Sequence, residues 1–66
     1  MKLKVNGESL ELNGIVTVRD LLHSLKLQPG RVAVEVNLEV IPKDRYETTA
    51  LHEGDEVEIV SFVGGG

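Results

Sequence analysis

Three glycines, Gly64-Gly65-Gly66, follow Val63 at the end of the 66-residue sequence. They carry the one group placed unlike an ordinary side chain, the α-carboxylate of Gly66. Lacking a Cβ, glycine permits backbone conformations and close approaches closed to other residues, so a narrow slot in a partner could admit this segment. Three or four extended residues reach roughly 10 to 14 Å, enough to carry a terminus clear of a small domain; an ordinary frayed end is the competing expectation. A carboxylate is anionic and a poor acyl donor. Acyl chemistry at Gly66 therefore needs prior activation, for instance as an acyl-adenylate made by an ATP-using enzyme, with this protein as the substrate.

Other candidates for chemistry are few. With no cysteine, the chain has neither a disulfide framework nor a thiolate of its own. His23 and His52 lack carboxylates or cysteines at ligand spacing, so no metal site is expected. Glu53, Asp55, Glu56 and Glu58 fall on a turn and a strand, where a solvated face suits them better than a catalytic pair; they could also meet a basic partner. No glycine-rich loop matches a phosphate-binding motif, since the only glycine cluster has no helix after it. No catalytic residue is assigned, and no cofactor is expected to bind.

Composition narrows the function classes. A domain this small buries only about 60% of the surface its unfolded chain exposes, so few aliphatic side chains can be spared for a deep active site. Eleven acidic against seven basic residues give a formal charge of −4, which opposes phosphate binding and suits solubility or a basic protein partner. Tyr46 and Phe62 are the only aromatic residues, so a stacking platform for single-stranded nucleic acid is missing. Met1 leads straight into Lys2-Leu3-Lys4-Val5, with no apolar signal region and no run of about 18 apolar residues. A cytoplasmic protein without a membrane span, monomeric when free, is expected.

The elements that must position Gly66 are legible in outline. Lys2-Leu3-Lys4-Val5 alternates, and Asn6-Gly7 is the pair favoured in a two-residue type I′ hairpin turn. The resulting register sets Val5 against Glu8, Lys4 against Ser9, Leu3 against Leu10, Lys2 against Glu11 and Met1 against Leu12. One face then holds Met1, Leu3, Val5, Leu10 and Leu12, and the other an opposite-charge Lys2/Glu11 pair. Thr17 can cap a helix starting near Val18, with Asp20 completing a capping box. Val18, Leu21, Leu22 and Leu25 form its apolar stripe, and Pro29-Gly30 is expected to stop it.

Val32, Val34 and Val36 alternate in a third strand, and Leu38-Glu39-Val40-Ile41 supplies a short edge strand before Pro42. Around Tyr46 a short helical turn should lay the ring over one edge of the core. After the turn His52-Glu53-Gly54-Asp55, the final strand runs Glu56-Val57-Glu58-Ile59-Val60-Ser61-Phe62-Val63. Strand parity turns Val57, Ile59, Ser61 and Val63 toward the helix and Val60 and Phe62 outward. That leaves two large apolar groups beside the glycines as a candidate docking patch. The fold class read from this order is α+β, a mixed sheet of about four to five strands with one main helix on one face. Residues 1–63 are expected to form a single domain and residues 64–66 a flexible glycine tail.

These residues resemble a known family. The hairpin at Asn6-Gly7, the helix start Thr17-Val18-Arg19-Asp20-Leu21-Leu22 and Val34-Glu35-Val36-Asn37 with Val40-Ile41-Pro42 look like ThiS, as do Gly54-Asp55-Glu56-Val57-Glu58-Ile59 and the terminal glycines. ThiS is the sulfur carrier of thiamine biosynthesis, so the resemblance implies a ubiquitin-like β-grasp fold. It further implies that a ThiF-like adenylating enzyme converts the Gly66 carboxylate to an acyl-adenylate at the expense of ATP. Sulfur, ultimately from cysteine, then gives a thiocarboxylate, and a ThiG-like thiazole synthase takes that sulfur to build the thiazole ring. Gly65 completes the diglycine, Gly64 is additional to it, and Val60 and Phe62 would dock the activating enzyme. Asn37-Leu38 departs from the pattern, a small or polar residue being expected after the asparagine. A MoaD-like small subunit of molybdopterin synthase, a ubiquitin-like protein modifier and a non-catalytic β-grasp binding module stay open as alternatives.

Overall fold

A computed structural model describes residues 1–62. Strands β1 (Lys2–Val5) and β2 (Glu8–Glu11) form the expected hairpin, turning through Asn6 at φ 50° and Gly7 at φ 82°. Two successive positive φ angles are what a type I′ turn demands. The register is the anticipated one, with Lys2 opposite Glu11, Leu3 opposite Leu10, Lys4 opposite Ser9 and Val5 opposite Glu8; the Leu12 amide extends it by donating to the Met1 carbonyl at 2.8 Å. Lys2 and Glu11 face one another without forming an ion pair. The Glu11 carboxylate instead accepts from the Met1 amino group at 3.0 Å.

Helix α1 (Val18–Ser24) begins under a complete capping box. The Asp20 amide donates to the Thr17 hydroxyl at 3.3 Å and the Thr17 amide to the Asp20 carboxylate at 3.1 Å. The helix stops earlier than Pro29-Gly30. Leu25 is its C-cap, Lys26 takes the left-handed conformation at φ 61°, and the Lys26 and Leu27 amides donate back to the carbonyls of His23 and Leu22. This is a Schellman motif with lysine where glycine is usual, so terminal hydrogen bonding ends the helix before Pro29 is reached. Pro29–Arg31 then makes a separate 3-10 turn.

Strands β3 (Val32–Val36), β4 (Glu39–Ile41) and β5 (Glu56–Ser61) complete a five-stranded sheet in the order β2-β1-β5-β3-β4. Strand β5 is central, parallel to β1 and antiparallel to β3. Both hairpins are sewn to it by an asparagine. The Asn6 carboxamide donates to the Ile59 carbonyl at 3.1 Å and accepts from the Ile59 amide at 2.7 Å. The Asn37 carboxamide accepts from the Glu56 amide and donates to Asp55, both at 3.0 Å. Each side chain thus satisfies backbone groups of β5 where a neighbouring strand has already turned away.

The helix covers one face of the sheet. Leu3, Val5, Val32, Val34, Val36, Val57 and Ile59 are buried with Val18, Leu21 and Leu22, and Ile15, Leu51 and Tyr46 close the same core. Tyr46 follows a 3-10 turn at Lys43–Arg45 and donates its hydroxyl to the Val32 carbonyl at 3.2 Å, as its buried polar tip requires. Burial pushes the Tyr46 phenol above its ordinary pKa. No helix among the described residues is long and apolar enough to cross a membrane.

Candidate functional site

The residues singled out for chemistry divide into two groups. Val63, Gly64, Gly65 and Gly66 lie outside the described residues. The strand that precedes them is β5, held on both sides by β1 and β3. The Phe62 amide adds one more rung, donating to the Arg31 carbonyl at 2.9 Å.

Strand parity placed Val60 and Phe62 outward, and they are 61% and 55% exposed. Val57 and Ile59 point into the core as expected, and Ser61 keeps their parity, in register with the buried Val32, yet is exposed. It pairs with Val32 at the very end of β5. A hydroxyl at that end is left in water, where no hydrogen-bond partner need be found for it.

The outer face around Val60 holds residues that the sequence reading did not assemble. Ala33 stands directly opposite Val60, Glu35 opposite Glu58, and Val40 opposite Glu35. Val40 is 67% exposed. Ala33, Glu35, Val40, Glu58 and Val60 line a shallow hollow of about 150 Å³. The Lys43 ammonium stands 4.9 Å from the centre of the Phe62 ring, within cation–π range, and also donates to the Gly30 carbonyl at 3.3 Å. The signal for Val40 was available: a two-residue turn at Asn37-Leu38 dictates that Glu35 faces Val40, by the rule already applied to the first hairpin.

The acidic residues separate by role. Asp55 accepts from the His52 amide at 2.8 Å and Glu53 from the Lys2 amide at 3.0 Å, so both fix turns. Glu56 and Glu58 remain exposed on the outer face of β5. His52 approaches Asp55 at 3.9 Å, while His23 lines a small surface hollow with Arg19, Leu27 and Pro29. Among the described residues no group of three or more His, Asp or Glu comes together as a metal site.

Comparison with known proteins agrees with this architecture. The model of the ThiS family matches residues 3–66. The chain is 47% identical over 66 residues to a thiazole synthase of Paramagnetospirillum magneticum, matching all of this chain and 20% of that protein. It thus spans about a fifth of that relative, and likewise 20% of a thiazole synthase of Magnetococcus marinus. It is 43% identical over 65 residues to the sulfur carrier protein ThiS of Bacillus subtilis, covering 97% of this chain and 98% of that one. The crystal structure of a thiamine biosynthesis protein (ThiS) from Geobacter metallireducens superposes with a TM-score of 0.84 at 39% identity over the full length of both chains. The asparagine-stitched hairpins, the single capped helix and the central last strand are therefore the β-grasp arrangement, and this chain belongs to the ThiS family.

Proposed function

We propose that this domain is a sulfur carrier of thiamine biosynthesis, and that the carried sulfur resides in a thiocarboxylate at Gly66. The observation that carries the reading is the family match running from Leu3 through the last glycine. It is supported by the likeness over nearly the whole length of a protein named as a sulfur carrier. The domain acts as substrate and carrier and not as the enzyme. A partner adenylating enzyme binds ATP, the Gly66 carboxylate oxygen attacks the α-phosphorus, and pyrophosphate leaves. A sulfur nucleophile then attacks the activated carbonyl and displaces AMP, leaving sulfur in place of one oxygen. Activation is needed because a carboxylate resists attack and adenylate is a good leaving group.

The acceptor proposed is thiazole synthase. Two proteins of that name contain a stretch similar to this chain, which suits a carrier that works against that enzyme. Val60 and Phe62, exposed and next to the tail in sequence, are proposed to dock the adenylating enzyme, so that one contact binds the domain and presents the glycines. We place the protein in the cytoplasm, where ATP and both enzymes would be met.

Intact-mass measurement tests the reading. After incubation with the purified adenylating enzyme, ATP and a sulfur source, the protein should gain the mass difference between sulfur and oxygen, with the change confined to the C-terminal peptide. An unchanged mass, with an enzyme shown to be active on another carrier, would overturn it.

A further inference from the structure

Two asparagines in the chain precede a glycine, Asn6 before Gly7 and Asn13 before Gly14, while the third, Asn37, precedes Leu38. An asparagine followed by glycine can react with its own backbone. The glycine amide nitrogen attacks Cγ of the preceding side chain, an approach that glycine obstructs least because it has no Cβ. That nitrogen gives up its proton to base and forms the new N–Cγ bond; the carboxamide nitrogen leaves as ammonia, and a cyclic succinimide results. Water then opens the ring at either carbonyl, giving aspartate or isoaspartate. Water is the only co-reactant, and nothing is oxidised or reduced.

The surroundings of the two pairs have much in common. Both are exposed, Gly7 and Gly14 have φ of 82° and 75°, and a Cβ added to either glycine would meet nothing within 4 Å. What separates them is the carboxamide. Asn6 donates from Nδ2 to the Ile59 carbonyl at 3.1 Å and accepts at Oδ1 from the Ile59 amide at 2.7 Å, so its Cγ cannot swing toward the Gly7 nitrogen until both bonds break. Around Asn13, the Met1 amino group donates to the Leu12 carbonyl and the Val16 amide to the Asp20 carboxylate. No hydrogen bond among the described residues engages the Asn13 carboxamide, and the Gly14 amide donates to no backbone carbonyl there.

We propose that Asn13 is a site of spontaneous deamidation in the folded protein, and that the Ile59 backbone shields Asn6 from the same reaction. The consequences differ as well. At Asn13 the product adds a negative charge, and in its isoaspartyl form an extra main-chain carbon, to a bend between β2 and α1. No hydrogen bond of the described fold runs through that side chain, so the domain survives the change. At Asn6 a carboxylate oxygen would replace the Nδ2 donor and face the Ile59 carbonyl, acceptor against acceptor, which leaves that carbonyl unsatisfied. The hydrogen bonds that fasten the first hairpin to β5 therefore also protect the asparagine on which they depend.

The test does not involve Gly66 and so stands apart from the sulfur-carrying role. The protein is incubated in mildly alkaline buffer, folded or in guanidinium chloride, and then cleaved after glutamate, which separates Asn6 from Asn13 at Glu8 and Glu11. Deamidation of each peptide is read as the mass difference between OH and NH2. Because Asn6 must wait for local opening, it should react at least roughly tenfold more slowly than Asn13 in the folded protein and at a similar rate in denaturant. Asn13→Gln should abolish the faster event. Asn13→Asp should melt close to the wild-type temperature and Asn6→Asp clearly below it; the rates on the wild-type chain need neither variant to fold. Equal rates at the two positions in the folded protein, or an Asn13 that reacts only in denaturant, would overturn the proposal.

Discussion

At the scale of single residues, short polar side chains do the work that secondary structure leaves undone. Asn6 and Asn37 each occupy a positive φ, and each supplies a donor and an acceptor, Asn6 to Ile59 within β5 and Asn37 to Asp55 and Glu56 at its start. Asp20 serves the helix start in the same way. Its carboxylate accepts from the Val16 and Thr17 amides at 3.0 and 3.1 Å, and these hydrogen bonds hold its pKa below the ordinary carboxylate value. A folded pKa below the unfolded one stabilises the fold above the unfolded value, about 3.9 for aspartate, and that stabilisation fades as pH falls through the folded value. Asp20→Asn should therefore be less stable than wild type at neutral pH, with the gap narrowing in acid. Urea unfolding of both proteins at neutral pH and near pH 3 checks this; a gap that widens in acid would refute it.

At the scale of elements, β5 joins the fold to the candidate site. Its inward residues Val57 and Ile59 belong to the core, while Val60 and Phe62 stay outside. The half-exposed Phe62 gives the core little, and its contact with Lys43 contributes about 0.5 to 1 kcal/mol at an exposed site. Phe62→Ala should thus melt within a few degrees of wild type, yet bind the adenylating enzyme roughly tenfold more weakly, a loss of about 1.4 kcal/mol. Calorimetry and a binding titration separate the two effects. Unfolding of the variant would mean that Phe62 serves the core and does not dock a partner. The helix boundary was less legible than the strands: Pro29-Gly30 is a visible stop signal, but the Schellman bonds of Lys26 and Leu27 act first. Lysine carries no conspicuous sequence signal for the left-handed conformation that glycine would have announced.

At the scale of the whole molecule, folding and proposed chemistry occupy different residues. The described core draws on all strands except β2 and β4, which add only partly buried residues. Removing Gly65 and Gly66 should leave thermal stability unchanged while abolishing formation of the thiocarboxylate and thiazole production in cells. A truncated domain that still supports thiazole production would return the glycines to the status of an inert end and favour a binding module.

The two hairpin turns show where reading from sequence reached its limit. Asn6-Gly7 dictated its strand register outright, because a turn with two positive φ angles leaves few residue pairs and one register buries Leu3, Val5 and Leu10 together. Asn37-Leu38 has the same geometry, yet leucine masks the signal, since nothing local favours it there. The sequence by itself determined the helix cap, the alternating strands and the outward direction of Val60 and Phe62, because these depend on neighbours within a few positions. Only the tertiary structure decided that β5 lies between β1 and β3, that Ala33 and Val40 join Val60 on the outer face, and that Leu38 stands beside Glu56 and Glu58. Those groupings join residues from 19 to 53 positions apart, brought together by strand pairings that no local pattern encodes.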